Sequence, residues 1–527
     1  MHGYMSSLTS TTIGIPWPQA VGLLSLCLLC TLLWTCIRRR RRRQTLPPGP
    51  TGLPFFGSAL QLPATFQERT FARWGLLYGD VVYVKFFNRP TLILNSIEAA
   101  RDLLDKRSAK YSDRPRMVLF TEMIGQETSL PSIRYGDQLR MHRKWMFDGV
   151  GNKEKLRSYQ AMQHREVCKL VSNLAKSPAR FYDHIHLYLA ALLTEVAYGR
   201  RVLSLDDELV QIAERGIEGS NDIGSPGSML VDFFPILKYI PKWLPGAGLK
   251  RRADSSVRKD VMAWKETGFG KFIADYESGA APPCIFTTVR SGLGDSPGES
   301  ELEHMKGLTF SVYGGGVETS RGTLLTSILA MTRNPRVLRE AHEEMDRVVG
   351  RDRLPDFSDK ESLPYLSAIL EEVFRWHAAV PLAIPHQLMV DDEYRGWNIP
   401  AGCMVIPNTW AMTRDERYYP DPEQFLPERY LTAEGLKDSD LPLPSSFVFG
   451  YGRRVCPGQA FAEATIWLAI AHIVALFDIR KAVDEAGNEV TPLPDFKSGF
   501  TNQPVPFDCQ ICPRSEKAAA IIAQLDL

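Results

Sequence analysis

The sequence runs Phe449-Gly450-Tyr451-Gly452-Arg453-Arg454-Val455-Cys456-Pro457-Gly458 just ahead of an apolar segment, residues 459–477, that has the spacing of a helix. Glycines at 450 and 452 permit a tight turn. Cys456 therefore lies just before a helix N-terminus, where the helix dipole and free N–H groups favour an anion. We expect a thiolate that can bind a metal there; an inert buried cysteine in a glycine-rich turn is the simpler alternative.

A second unusual segment lies inside a long helical pattern, residues 303–333. Gly314, Gly315 and Gly316 stand in a row there, although each glycine inside a helix costs roughly 1 kcal/mol. Close approach of the backbone to a flat ligand would explain them, and the acid–alcohol pair Glu318 and Thr319 can relay protons. A phosphate-binding loop and a kink are the alternatives, and the loop is disfavoured because no Gly-Lys-Ser/Thr follows.

Two charged motifs follow. Glu372 and Arg375 are spaced i, i+3, so they share one face of a predicted helix and can interact. Further along, the chain reads Pro427-Glu428-Arg429-Tyr430. Taken alone, the pair Glu372 and Arg375 would be interpreted as an ordinary surface pair.

Together these motifs resemble those of the cytochrome P-450 superfamily. The pattern F-x-x-G-x-R-x-C-x-G is complete, and residues 372–375, 427–430 and 315–319 match or resemble the E-x-x-R, PERF and A/G-G-x-D/E-T motifs. Within the superfamily, residues 381–386 and 504–509 are most similar to fungal secondary-metabolism members of the O-methylsterigmatocystin oxidoreductase type and to tryptamine hydroxylases. The resemblance implies haem b (iron protoporphyrin IX) as the cofactor, with the Cys456 thiolate as axial ligand of the iron.

The resemblance also implies roles for residues around the haem. Arg454 would pair with a propionate, and so would His386, for which a solvated surface histidine is the alternative. Phe449 would pack near the sulfur. Glu318 and Thr319 would be the catalytic pair that delivers protons to dioxygen.

One propionate-binding motif is incomplete. Arg143 resembles the second half of the family's W-x-x-x-R, but Leu139 stands at the Trp position. A propionate therefore loses an indole N–H donor, and His142 or Arg140 would have to compensate.

The motifs at 372–375 and 427–430 are implied to have a structural role. Glu372, Arg375 and Arg429 would form a buried salt-bridge network that supports the haem side. Loss of one member would leave a buried charge uncompensated, at a cost of about 3–5 kcal/mol.

The implied activity is insertion of one oxygen atom of O2 into a hydrophobic organic substrate (aromatic, terpenoid or polyketide-like), in fungal secondary metabolism or xenobiotic oxidation. The pocket would be lined by residues 111–123, 310–319, 380–384 and Phe500. A haem-thiolate isomerase or dehydratase acting on a peroxide is the alternative, disfavoured because it needs no proton relay. A non-catalytic haem sensor or carrier is a third.

Electrons must come from another protein, because no G-x-G-x-x-G after a strand indicates a dinucleotide site. The resemblance implies NADPH–cytochrome P-450 reductase, with cytochrome b5 as a further donor. Basic residues such as Lys144 and Arg453 would suit an acidic partner surface.

The body of the chain is predicted to be mainly α with small β-sheets, a single cytochrome P-450 fold over residues 59–527. Helical spacing covers residues 153–175, 303–333, 335–349 and 364–377. Strands are predicted at residues 81–87 and 91–94, and around 394–407 and 500–512. Residues 278–300, rich in Gly, Pro and Ser, are predicted to be a surface loop.

The N-terminus predicts a membrane anchor. Residues 17–37 are apolar and uncharged, about enough to cross ~30 Å of hydrocarbon, and six arginines follow at 38–43. This order favours a retained signal anchor (residues 1–43) in the endoplasmic reticulum membrane, with the catalytic domain cytoplasmic. A proline-rich linker, residues 44–58, would follow. A core helix with a solvated charge run is the alternative.

Composition narrows the function further. Lys and Arg number 62 against 61 Asp and Glu, a balance that argues against a nucleic-acid-binding protein. The nine cysteines lack disulfide-framework spacing, which indicates a reducing compartment. Cys509 and Cys512 form an isolated CxxC, interpreted as part of a terminal strand rather than a zinc site.

Overall fold

The computed structural model describes residues 46–222, 229–244, 247–432, 435–436 and 441–525. The predicted membrane segment, residues 17–37, and the arginines after it lie outside this part of the chain. The described residues are mainly helical with small sheets, as predicted. These residues fall into two units: one holds the described residues of 48–390 and 400–525, and the other holds residues 46–47 with Asp391–Ile399.

The larger unit contains the long helices. In chain order they are α1 (Gln67–Tyr78), α2 (Asp137–Met146), α3 (Lys153–Lys176), α4 (Phe181–Tyr198), α5 (Glu208–Asp222), α6 (Arg258–Glu277), α7 (Ile285–Gly292), α8 (Glu299–Thr309), α9 (Gly315–Arg333), α10 (Pro335–Val348), α11 (Pro364–Trp376), α12 (Gln459–Leu476) and α13 (Glu516–Gln524). Helical turns of four or five residues are Ile97–Ala100, Ser108–Tyr111, Leu230–Phe233, Gly248–Arg252 and Thr409–Met412.

Local sequence explains several helix ends. The Asn152 side chain accepts the N–H of Lys155 and caps α3, and α4 ends at Gly199, which has φ +73°. Helices α10 and α11 each begin at a proline, whose missing N–H is not needed in a first turn.

The strands form small sheets. They are β1 (Val81–Phe86), β2 (Arg89–Leu94), β3 (His386–Gln387), β4 (Asp392–Tyr394), β5 (Trp397–Ile399), β6 (Met404–Pro407), β7 (Leu431–Thr432), β8 (Gly435–Leu436), β9 (Phe477–Val483), β10 (Glu489–Val490) and β11 (Cys509–Pro513). One sheet has the order β1-β2-β6-β3: Val81 pairs with Leu94 antiparallel, Thr91 with Met404 parallel, and His386 with Val405 antiparallel. A second has the order β10-β9-β11, and β7 pairs with β8. In the smaller unit, β4 and β5 form a hairpin.

The core surrounds α9 and α12, which pack against each other. Helix α9 also packs on α4 and α11, and α12 on α3 and α10. Helix α12 is apolar on every face, as expected of a helix surrounded by protein. It is long and apolar enough to cross a membrane, yet 72% of it is buried within the fold.

Three sequence predictions needed correction. Residues 278–300 are not one loop: they contain α7, whose Ile285, Phe286 and Val289 are buried, and the first residues of α8. The pattern at 303–333 is not one α-helix, because a π-helical segment, Phe310–Gly314, separates α8 from α9. Around residues 500–512 the strand is β11 alone, and it contains the CxxC, whose thiols are both free.

Candidate functional site

The glycine-rich turn brings Cys456 to a fixed position. The Cys456 N–H donates to the Phe449 carbonyl oxygen at 2.8 Å, which closes the turn. Gly452 has φ +50°, and a Cβ there would lie 2.4 Å from the Leu104 carbonyl oxygen. Only glycine therefore fits at 452, for both conformational and steric reasons. The Phe449 ring packs edge-on against Phe374, with centroids 5.3 Å apart.

Cys456 lies three residues before α12 and is an exposed residue. The Gly458 N–H and the charge of Arg143 both act to lower the pKa of this thiol. The surrounding protein desolvates it more strongly, so its pKa is raised. Desolvation therefore opposes the thiolate that the helix N-terminus favours, and a bound metal ion would supply the missing stabilisation.

Four basic side chains lie near this turn and interact electrostatically or through its backbone: Arg114, Arg143, Arg454 and His386, here called the cationic cluster, in which the arginines carry the charge. Arg454 donates from Nε to the Ser112 carbonyl (2.8 Å) and from Nη2 to the Ile133 carbonyl (2.7 Å). Its Nη1 is buried without a partner among the described residues. Burial lowers the pKa of Arg454 to about 10.

The other members are also held by backbone carbonyls. Arg143 donates from Nη1 to the Val455 carbonyl at 2.8 Å. His386 is buried, not solvated as the alternative interpretation had it, and its Nδ1 lies 2.8 Å from the Tyr111 carbonyl oxygen. Burial and the charge of Arg114 hold the pKa of His386 well below its usual range.

Arg114 is a member that the sequence motifs did not identify. It is 3% exposed and donates from Nη1 to the Ile384 and Pro385 carbonyls, each at 2.7 Å. Burial and the neighbouring Arg454 hold its pKa well below normal. Its charge, inside the run 111–123 that was interpreted as an apolar pocket wall, was the signal in the sequence.

Among the described residues, Asp113 is the acidic side chain that acts on Arg114 and Arg454 in the cationic cluster. Its two carboxylate oxygens, however, accept hydrogen bonds from Arg134 at 2.5–3.0 Å, so Asp113 is already paired with another arginine. Buried cations normally have a partner, so the unpartnered Nη1 of Arg454 indicates an anionic ligand. The propionates of haem fit these donors, and the exposed Cys456 fits its iron.

The predicted proton-relay pair lies at the start of α9. Thr319 Oγ1 donates to the Gly315 carbonyl at 2.7 Å. Gly315 is exposed, and a Cβ there would meet open space, whereas a Cβ on Gly316 would lie 2.7 Å from Leu193 Cδ1. Of the two, Gly315 leaves the helix backbone open towards a ligand, and Gly316 is required for packing against α4.

Glu318 is buried within a polar network. Arg321 donates to its Oε1 at 2.6 Å, and Gln503 donates to its Oε2 at 2.9 Å. Burial raises the pKa of Glu318 and the charge of Glu214 adds to this, although Arg321 opposes it. Gln503 reaches Glu318 from the C-terminal segment, a contact that local sequence patterns do not indicate.

The structure brings Glu372, Arg375 and Arg429 together. Both carboxylate oxygens of Glu372 accept from Arg375 at 2.8 Å, and Arg429 Nε lies 3.2 Å from Oε1. Glu372 and Arg375 are fully buried. The carboxylate also accepts from the Leu426 N–H (2.8 Å) and the Tyr430 hydroxyl (3.1 Å).

Both residues proposed to compensate for Leu139 have other partners in the structure. Arg140 is exposed and pairs with Asp137. His142 is fully buried, with its Nε2 3.0 Å from Nδ1 of His304 on α8. The charges that act on Arg454 are those of Asp113, Arg143 and Arg134 instead.

Comparison with known proteins agrees with this architecture. The family model described as Cytochrome P-450 matches residues 47–265 and 283–511. Cytochrome P-450 monooxygenase 176 of Postia placenta is 41% identical, over 94% of this chain and 96% of the relative. Cytochrome P-450 monooxygenase 136 of the same fungus is 40% identical over 97% and 96%, and tryptamine 4-monooxygenase of Psilocybe cyanescens is 37% identical over 91% and 95%.

Monooxygenases of this family contain haem b and use O2 with electrons from a redox partner. The finer resemblance to the O-methylsterigmatocystin oxidoreductase type stays a prediction. Identity of 35–41% over nearly the whole length of several fungal monooxygenases is far more than a shared fold requires. The chain therefore belongs to the cytochrome P-450 family and is a haem-thiolate monooxygenase.

Proposed function

We propose that Cys456 is the axial ligand of the haem iron, that the cationic cluster binds the haem propionates, and that the enzyme oxidises a hydrophobic organic compound. The observation that supports this most strongly is an exposed cysteine, Cys456, beside three arginines, of which Arg454 has a buried Nη1 with no partner among the described residues. Haem bound through a thiolate supplies the activation of O2, of which one atom enters the substrate and the other becomes water.

The protein's part is to hold the cofactor and to manage protons. Burial raises the pKa of Glu318, which favours uptake of a proton by its carboxyl group, and Arg321 and Gln503 orient that group. Thr319 Oγ1, now donating to the Gly315 carbonyl, passes protons on by rotating its hydroxyl. Both oxygens of Glu318 already accept hydrogen bonds, from Arg321 and Gln503. Proton transfer from Glu318 therefore requires that one of these hydrogen bonds breaks first.

The proposed substrate is apolar because one wall of the predicted pocket is apolar. Met117, Val118, Leu119, Phe120 and Met123 belong to one buried hydrophobic cluster, against which Ile384 packs. Aromatic, terpenoid and polyketide-like compounds suit such a surface, as part of secondary metabolism. The name of the tryptamine 4-monooxygenase adds indole-ethylamines to the compounds to be tested.

The proposed electron donor is NADPH–cytochrome P-450 reductase, with cytochrome b5 as a second donor. Lys144 and Arg453 are exposed beside the Cys456 turn, as docking to an acidic protein requires. Residues 1–43 are proposed to anchor the chain in the endoplasmic reticulum membrane with the catalytic domain, residues 59–527, on the cytoplasmic side. Charge reversal at Lys144 and Arg453 should lower reductase-driven turnover; unchanged turnover would reject this docking surface.

The ligand assignment is tested by the spectrum of the reduced protein with carbon monoxide. A red-shifted Soret band, typical of thiolate ligation, is expected in the wild type and in the control Cys512→Ser, whose thiol lies on β11. Cys456→Ala should lose the band. A band that persists in Cys456→Ala would overturn the assignment.

The substrate is identified by expression in reductase-bearing microsomes with a panel of aromatic, indole and terpenoid compounds, followed by product analysis. Conversion that requires NADPH and O2 supports the proposal. Rearrangement of an organic peroxide without either would favour the isomerase or dehydratase instead.

A further inference from the structure

A separate group of metal-ligating side chains lies between α3 and α12. His164 and Cys168 are one helical turn apart on α3, and His472 faces them from α12. Their candidate ligand atoms all lie within 4.8 Å of one another. His472 is 13 residues into α12, about 20 Å along the helix from its start beside Cys456, so the group is distinct from the haem site.

His472 has the features of a ligand that lacks its metal. It is fully buried, and its Nδ1 lies 3.0 Å from the Leu468 carbonyl oxygen, which fixes the ring and its tautomer. The other nitrogen, Nε2, is buried without a partner among the described residues. Burial lowers the pKa of His472 to about 3, so the ring is neutral and Nε2 carries a free lone pair. Metal-bound histidines are typically held in this way, with one nitrogen on a carbonyl and the other on the metal.

The two residues on α3 have a suitable separation. His164 Nδ1 and Cys168 Sγ are 3.6 Å apart. In a tetrahedral site with Zn–N of about 2.0–2.1 Å and Zn–S of about 2.3 Å, the nitrogen–sulfur edge is about 3.6 Å. The His164 and His472 rings are edge-on, with centroids 5.4 Å apart, so both can turn a nitrogen towards a common point.

We propose that His164, Cys168 and His472 form a zinc site that joins α3 to α12. Two imidazoles and one thiolate suit zinc, and the partial exposure of His164 and Cys168 lets the ion enter and leaves a fourth position for water. The Cys168 thiol, whose pKa burial raises, gives up its proton as the Zn–S bond forms. A bound ion therefore releases at least one proton and joins two helices of the core.

The test is titration of the chelator-treated, haem-loaded full-length protein with Zn²⁺ by calorimetry. We expect one saturable site, proton release seen as a dependence of the heat on buffer ionisation, and a higher Tm with zinc. Cys168→Ser and His472→Gln should each weaken binding at least about 10-fold. Cys512→Ser is the matched control and should bind like the wild type.

A second readout separates ligation from general damage. Cd²⁺ should produce a thiolate-to-metal charge-transfer band in the wild type and in Cys512→Ser, but not in Cys168→Ser. An unchanged carbon monoxide spectrum shows in each variant that the haem site is intact. Zinc affinity that persists in Cys168→Ser and His472→Gln, or no Cd²⁺ band in the wild type, would overturn the proposal and leave a thiol–imidazole hydrogen bond beside a core histidine.

Discussion

Two arginines, Arg375 and Arg454, differ in how many of their guanidinium nitrogens have a hydrogen-bond partner. Arg375 is fully buried, and all three of its guanidinium nitrogens donate, to Glu372 and to the carbonyls of Thr413, Pro422 and Gln424. Arg454 is held only by carbonyls and keeps one buried Nη1 without a partner in the described chain.

The difference separates a structural network from a binding site. A buried charge that has both a counter-ion and a full set of hydrogen bonds stabilises the positions of its neighbours. A group of buried cations without a free carboxylate is costly until an anion arrives, and so indicates where a ligand binds. The hydrogen bonds around each arginine are enough to make this distinction.

The largest expected effect comes from a change in the buried network of Glu372, Arg375 and Arg429. Glu372→Gln removes the negative charge and leaves the buried Arg375 uncompensated, so the free energy of unfolding should fall by about 3–5 kcal/mol. Urea denaturation followed by circular dichroism measures this. Glu340→Gln, which breaks the exposed pair with Arg336, should cost no more than about 0.5 kcal/mol. Equal losses would mean that burial and completion of the network do not matter.

Glu318 lies between these extremes, since it has partners but a raised pKa. Glu318→Gln keeps the shape and removes the transferable proton. Product formation should fall by about 10²-fold, a typical contribution of positioned proton transfer, while NADPH consumption falls less. Comparison of the two rates measures this, with Glu343→Gln, exposed on α10, as the control. Equal decreases in both rates would contradict a role in proton delivery.

A change in the cationic cluster should affect haem binding more than the stability of the fold. Arg454→Gln removes a charged donor to a propionate, so haem should dissociate about 10- to 100-fold faster, equivalent to the value of a charge-assisted hydrogen bond. Transfer of haem to an excess of apomyoglobin measures the rate. Arg351→Gln, an exposed arginine, should leave the rate unchanged. If Arg454→Gln instead destabilised the haem-free protein as much as Glu372→Gln does, the cluster would be structural.

Within any one pH unit, the smallest expected effect comes from His142, a buried base that stays neutral. Burial and the nearby His304 hold the pKa of His142 at about 3, against 6.5 for the free side chain, so between these pH values the unfolded chain binds more protons. This contribution to stability is therefore lost as the pH falls from 6.5 towards 3. His142→Phe should make the dependence of unfolding free energy on pH shallower by up to about 1.4 kcal/mol per pH unit. An identical pH dependence in urea unfolding would contradict this.

Local sequence predicted the features that depend on neighbouring residues. Helices α3, α10 and α11 lie within two residues of their predicted ends, because apolar spacing marks the face that each helix buries. Helix α7 was missed because Gly, Pro and Ser around it dominate the composition. Its buried Ile285, Phe286 and Val289 were the helical signal.

The sequence by itself determined the glycine-rich turn, the position of Cys456 ahead of α12, and the motifs that identify the family. The tertiary structure decided which charged side chains have a full set of hydrogen-bond partners and which do not. Arg114 and Gln503 are 340 and 185 residues from Arg454 and Glu318, and His472 is 308 residues from His164. Such contacts depend on how helices pack against one another, and the sum of burial, charge and hydrogen bonding at each position exists only once the chain is folded.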